Sequence, residues 1–201
     1  MLDSRARTLV QPTLEIIARA CMRLGISANA LTIAGMLTGI GAAALVVGGW
    51  SGWGVAALWV SGTLDAADGT LARMTKSSPL GAIMDITSDR VVEVAMILAL
   101  ALRFPDARLE LLVLTGVIVI AMSLFLSIAA AVVNFSAKSF HYAPGLGERT
   151  EAFLCLSLMT LDAARLQSWT WVFTGVIIVT IVQRIVHVRK LLSGSEQADV
   201  S

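Results

Sequence analysis

Six apolar runs dominate the chain, at 30–50, 53–73, 81–104, 108–135, 149–166 and 169–189. Each is close to the ~20 residues that carry an α-helix across ~30 Å of hydrocarbon. The segments between them are short and hold Gly, Pro, Ser and charge, so the pattern predicts an all-α bundle of six transmembrane helices. The fifth run is the weakest, because Asp162 and Arg165 shorten it. Without it the chain ends would fall on opposite sides of the membrane. Ahead of the first run, Leu14, Ile16, Ile17, Ala20, Cys21 and Leu24 recur at helical spacing, with Glu15, Arg19 and Arg23 on the polar side. Pro12 suits a first helical turn and Gly25 a stop, which predicts an amphipathic helix lying in the membrane interface. The chain thus divides into an interfacial cytoplasmic segment (1–29), a six-helix membrane domain (30–192) and a polar tail (193–201) expected to be unstructured.

Composition makes lipid the solvent, since 57% of the 201 residues are hydrophobic and only 14% charged. A net charge of +1 lacks the basic surface that nucleic acid requires. Cys21 and Cys155 lie far apart and read as inert thiols rather than a disulfide or a metal pair. No small-residue cleavage pattern follows the first apolar run, so residues 1–29 are expected in the mature protein. The basic residues are lopsided across the six spans. Arg5, Arg7, Arg19, Arg23, Arg73, Lys76, Lys138, Arg149, Arg184, Arg189 and Lys190 fall on one side; Arg103, Arg108 and Arg165 fall on the other. The first side is then cytoplasmic and holds both termini.

Against this background the acids stand out. Asp65, Asp68, Asp85, Asp89 and Glu93 lie in or beside the second and third runs, where a carboxylate at the bilayer centre costs at least ~2.5–3.5 kcal/mol. Asp65 and Asp68 are spaced i, i+3 with Ala72 at i+7, while Asp85, Asp89 and Glu93 are spaced i, i+4, i+8. Each set therefore shares a helix face. A short loop pairs the two helices, so four aspartates converge near the cytoplasmic end. That much charge needs cations, and oxygen ligands without Cys or His select Mg²⁺, Mn²⁺ or Ca²⁺. Two divalent ions would balance four carboxylates and would suit phosphoryl transfer. Gly69 leaves room for a ligand at the backbone, Arg73 supplies a guanidinium for phosphate, and Gly81 opens the third span.

Asp65, Asp68, Gly69, Ala72, Arg73, Gly81, Asp85 and Asp89 occupy every fixed position of DxxDGxxAR, a spacer, and GxxxDxxxD. The chain in this respect resembles the CDP-alcohol phosphatidyltransferase family, to which the six spans and the N-terminal helix are also similar. One departure is the spacer 74–80, a residue shorter than is common in that family. The resemblance implies a bacterial inner-membrane enzyme of phospholipid biosynthesis, a homodimer with its site on the cytoplasmic face. It would transfer a phosphatidyl group from CDP-diacylglycerol to an alcohol and release CMP. By the same resemblance Asp65, Asp68, Asp85 and Asp89 hold two ions, Mg²⁺ or Mn²⁺, and Asp89 is also the general base. The CDP-lipid would meet Asn29, Gly69, Ala72, Arg73, Gly81 and Ser78, with Ser77 an alternative to Ser78.

The acceptor is not written in the signature. Lys138 and Arg149, with His141 and Arg184 behind them, are cations suited to a phosphorylated acceptor. They favour an anionic acceptor, and because the segment KSFHYAPGLGERTE does not closely resemble the more basic stretch of the family's inositol-phosphate branch, glycerol 3-phosphate is expected, with inositol phosphate or a neutral alcohol as alternatives. A membrane cation or proton transporter is the reading from another class. The one-sided position of the acids and the lack of an inverted repeat weigh against it. Glu93 lies outside the signature and is expected to pair with Arg90. Gly35 and Gly39 form a small-xxx-small face able to join helices, and Trp50, Trp53, Trp59, Trp169 and Trp171 read as an aromatic belt.

Overall fold

A computed structural model describes residues 2–135 and 149–198. These residues form seven α-helices: α1 (Leu2–Arg23), α2 (Ala28–Val47), α3 (Ser51–Met74), α4 (Pro79–Arg103), α5 (Arg108–Phe135), α6 (Arg149–Leu161) and α7 (Leu166–Ala198). Single 3₁₀ turns, Pro105–Ala107 and Ala163–Arg165, join α4 to α5 and α6 to α7. By length and composition, three segments are apolar enough to cross a membrane: Ala28–Val47, Pro105–Ala131 and Ala163–Arg189. Helices α3 and α4 are long enough, at 24 and 25 residues, but carry the aspartates. Helix α6 has only 13 residues, so it reaches about 20 Å at 1.5 Å per residue.

Several boundaries differ from expectation for local reasons. Pro12 lies inside α1 instead of opening it. Helical residues flank it on both sides, so the proline removes one backbone hydrogen bond without ending the helix. Gly25, at φ +71°, does stop α1. Helix α4 opens at Pro79 rather than Gly81, because Ser78 caps it by accepting from the Gly81 amide at 3.0 Å. Helix α7 continues through residues 193–198, where an unstructured tail was expected. Extension of an established helix needs little of its own sequence, and no proline intervenes.

The packing turns apolar side chains both inward and outward. Val46, Leu58, Met96, Leu100, Leu114, Leu156, Met159 and Phe173 form the main core, with α2 against α3 and α4, and α5 against α7. Leu37, Leu98, Leu102, Leu109 and Leu112 project outward, as suits a bundle surrounded by lipid. Buried threonines bond within their own helices: the hydroxyls of Thr160, Thr170 and Thr174 donate to the carbonyls of Leu156, Leu166 and Thr170 at 2.7–2.8 Å. These three hydroxyls are therefore satisfied without water. A smaller core of Leu14, Ala18, Cys21, Leu31, Ala67 and Leu71 docks α1 on α2 and α3. Around α1, Glu15, Arg19 and Arg23 occupy one flank while the apolar Ile16 and Leu24 lie exposed on another.

The small-residue face of α2 packs inside this chain. Ser61 donates to the Gly35 carbonyl at 2.7 Å. A Cβ on Gly39 would stand 2.4 Å from Val92 Cγ2 and 2.9 Å from Ser61 Oγ. Valine has no flexible arm to withdraw. Gly39→Ala is expected to destabilise the protein by about 1–3 kcal/mol, read as a lowered unfolding temperature in detergent. Gly41→Ala is the contrast, because a Cβ there meets nothing within 4 Å. Equal unfolding temperatures for the two variants would contradict this packing.

Candidate active site

Residues 75–78 join α3 to α4, but the two helices are not the directly packed pair that the short loop suggested: α2 packs against both, with Ser61 and Val92 meeting at Gly39, and the aspartates come together where the C-terminal part of α3 nears the N-terminal part of α4. Asp65, Asp68 and Asp85 each present a carboxylate oxygen, and these oxygens lie within 4.8 Å of one another. Asp68 is 4% exposed, and its Oδ2 is buried with no hydrogen-bond partner. An orphaned buried carboxylate oxygen is costly unless a cation takes it up. The donor set fits a hard divalent ion, being all carboxylate.

Asp89 stands outside this trio, one turn further along α4. It is held by Arg149 at the start of α6, whose guanidinium lies 2.8 Å from Asp89 Oδ1 and also ion-pairs with Asp65. The same guanidinium lies over the Phe153 ring, 5.4 Å from its centroid. Phe153 in turn packs edge-on against Trp59 and covers Gly62, while the Trp59 indole donates to Ser157 at 3.1 Å. A staple between α3 and α6 therefore steadies Arg149. The sequence places Arg149 at the cytoplasmic mouth near the aspartates as a cation for the acceptor; that it ion-pairs directly with Asp65 and Asp89 is what motif reading missed. Lys138 and His141 lie outside the described residues. Arg184 donates weakly to the Ala121 carbonyl, at 3.5 Å, and lies over Phe125. Glu93 is 3% exposed and pairs with Arg90.

A cavity of about 190 Å³ opens beside the aspartates. Asn29, Gly69, Ala72, Arg73, Ser78 and Gly81 all line it, together with Asp68 and Asp85. Ser77 lines it too, as do Ala28, Thr32, Lys76 and Ala82. Ser78 has a second occupation, because its hydroxyl caps α4. Gly81 is needed for close approach: a Cβ there would meet Asn29 Oδ1 and Ser78 Oγ, both at 3.2 Å. Arg73 donates to Thr70 at 2.9 Å, which holds it at the rim. Ser27 caps α2 by accepting from the Ala30 amide at 3.2 Å, and so sets Asn29 in the first turn facing the cavity.

An acidic trio able to hold a metal ion, beside a cavity lined by Asn29, Arg73 and Ser78 at one end of a helical bundle with apolar side chains outside, is the arrangement of a metal-dependent integral membrane enzyme. The model of the CDP-alcohol phosphatidyltransferase family matches residues 25–183, and the chain belongs to that family. It is 28% identical over 178 residues to the inner membrane protein YnjF of Escherichia coli K12, covering 82% of this chain and 84% of that one. It is also 28% identical over 201 residues to the phosphatidylinositol phosphate synthase of Corynebacterium glutamicum, covering 94% and 90%. Among solved structures, the phosphatidylinositol phosphate synthase of Mycobacterium tuberculosis with CDP-DAG bound has a TM-score of 0.69 at 22% identity, over 87% of this chain and 92% of that one. The same enzyme in complex with manganese and citrate gives 0.68, also at 22% identity, over 87% and 88%. Membership makes the chain a CDP-alcohol phosphatidyltransferase, of a family that works with divalent metals.

Proposed function

We propose that this protein transfers the phosphatidyl group of CDP-diacylglycerol to a phosphorylated alcohol and releases CMP. The observation that carries the reading is the junction of the Asp65, Asp68 and Asp85 oxygens with a cavity lined by Asn29, Arg73 and Ser78. Two divalent cations on Asp65, Asp68, Asp85 and Asp89 would neutralise charge at the transferring phosphorus. Asn29, Gly69, Ala72, Arg73, Ser78 and Gly81 bind the CDP moiety, and Asp89 takes the proton of the acceptor hydroxyl. The chain acts as a homodimer in a bacterial cytoplasmic membrane, with six spans, both termini inside and α1 in the inner interface. The three faces of α1 support that last point: one packed on α3, one charged, one apolar and exposed.

The acceptor is inositol phosphate. Glycerol 3-phosphate was expected from the charges of Lys138 and Arg149 and from the segment KSFHYAPGLGERTE, but those charges suit any phosphate and do not distinguish the alcohol. Similarity to a named phosphatidylinositol phosphate synthase over 94% of the chain favours the inositol ester. Arg149, once its carboxylate partners ligate cations, is available for the acceptor phosphate. The test is purified protein with labelled CDP-diacylglycerol and a panel of inositol phosphate, glycerol 3-phosphate, serine and free inositol. Inositol phosphate should give the phosphatidylated lipid and CMP; turnover with glycerol 3-phosphate alone would reverse the assignment.

Two further outcomes follow. Lys138→Ala should raise the acceptor KM about 10- to 150-fold, the loss of a charge-assisted contact of about 1.5–3 kcal/mol, and leave the KM for CDP-diacylglycerol nearly unchanged. Arg149→Ala should do the same and also lower kcat, since it removes a partner of Asp89. Unchanged acceptor KM in both would make the acceptor uncharged. For topology, a cysteine label at Lys76 should be reached only from the cytoplasm and one at Gly52 only from outside. The reverse pattern would overturn the orientation.

A further inference from the structure

The end of the bundle opposite the aspartates carries a second polar cavity. The two 3₁₀ turns, Pro105–Ala107 and Ala163–Arg165, sit side by side there and are tied by Gln167 Nε2 donating to the Asp106 carbonyl at 2.9 Å. Between them lies a cavity of about 370 Å³ whose lining includes Arg103, Asp106, Arg165 and Ser168. Arg103 is rigidly held: it donates to the Val46 carbonyl at 3.0 Å and to Ser51 Oγ at 2.7 Å, and lies over the Phe104 ring at 5.1 Å. None of these partners carries a charge.

Among the described residues, no ion pair joins Arg103 or Arg165 to a carboxylate, and none joins Asp106 to a cation. Asp162, the other nearby acid, accepts from the Trp169 indole at 3.1 Å. The fold thus holds two uncompensated guanidiniums and one uncompensated carboxylate around one cavity, an arrangement a zwitterion with a phosphate and a compact ammonium would match. The depth also fits. Trp50, Trp53 and Trp171 are exposed at this same end, as in the aromatic belt at headgroup level. Eighteen residues of α4 separate Asp85 from Arg103, about 27 Å at 1.5 Å per residue, so the cavity is remote from the phosphotransfer site.

We infer that this cavity binds the headgroup of an aminophospholipid in the opposite leaflet, its phosphate against Arg103 and Arg165 and its ammonium against Asp106. Phosphatidylglycerol has no ammonium for Asp106, and the trimethylated nitrogen of phosphatidylcholine has no proton to donate. The inference takes its membrane depth from the six-span reading above. Failure of that reading would appear separately, as labelling of the Gly52 cysteine from the cytoplasmic side.

The experiment is native mass spectrometry of the full-length protein, delipidated and then offered phosphatidylethanolamine, phosphatidylglycerol or phosphatidylcholine. Phosphatidylethanolamine should be retained about tenfold better than the other two. Arg165→Gln should cut its retention about tenfold, and Asp106→Asn should erase the preference over phosphatidylglycerol. CMP release should be unchanged in both variants. Equal retention of the three lipids, or full retention by Arg165→Gln, would overturn the inference. So would displacement by millimolar inorganic phosphate, which would mark a simple anion pocket, or a parallel loss of CMP release, which would assign the lipid to the phosphotransfer site.

Discussion

Treatment with EDTA is expected to reduce CMP release to background, and Mg²⁺ or Mn²⁺ to restore it. Three carboxylate oxygens lie within 4.8 Å of one another, one of them on a residue with an orphaned and buried Oδ2, a concentration of negative charge that a divalent cation would balance. Arg149 ion-pairs with Asp65 and Asp89. A pyrophosphate entering the adjacent cavity would add further negative charge. Without cations the transition state loses on the order of 4 kcal/mol of stabilisation, about a thousandfold in rate. Asp68→Asn should respond in kind: activity falls by a similar factor while the unfolding temperature holds or rises, because the substitution removes a buried charge. Full turnover in metal-free buffer would sink the mechanism.

The second large effect is expected at Asp89. Asp89→Asn should lower kcat about 10²- to 10⁴-fold, the range for a lost general base, with CDP-lipid binding still measurable. Raised Mn²⁺ separates this role from ligation alone. A variant weakened only in metal affinity, such as Asp85→Asn, should recover part of its rate at high Mn²⁺; Asp89→Asn should not, because an amide cannot accept the proton. The geometry motivates the distinction, since Asp89 stands apart from the trio and is oriented by Arg149 at 2.8 Å. Recovery of Asp89→Asn to the level of Asp85→Asn would make it a ligand and nothing more.

The spacing of the eight signature residues made the reaction class legible, because helix periodicity puts Asp65 with Asp68 and Asp85 with Asp89 on shared faces whatever the rest of the chain does. The helices from 28 to 135 were legible for the same local reason, since apolar runs between breakers mark them. Pro12 and residues 193–198 were misjudged because helix continuation depends on neighbours on both sides, not on the residue that looks like a boundary. Ser78 was read for its hydroxyl and found also to cap α4, which a Ser followed by Pro could have signalled.

Sequence by itself determined, then, which residues can ligate a cation, which segments are apolar enough for lipid, and the family to which the signature belongs. Those properties follow from side-chain chemistry and local period. Only the tertiary structure decided that Gly35 and Gly39 face Ser61 and Val92 within the chain, since a small-residue face says that something packs closely without saying what. It alone decided that Arg149, with α5 intervening, meets Asp65 and Asp89, and that Arg103 and Arg165 line one cavity from two separate crossovers. Contacts of this kind depend on how helices are ordered in space, and local period carries no record of that order.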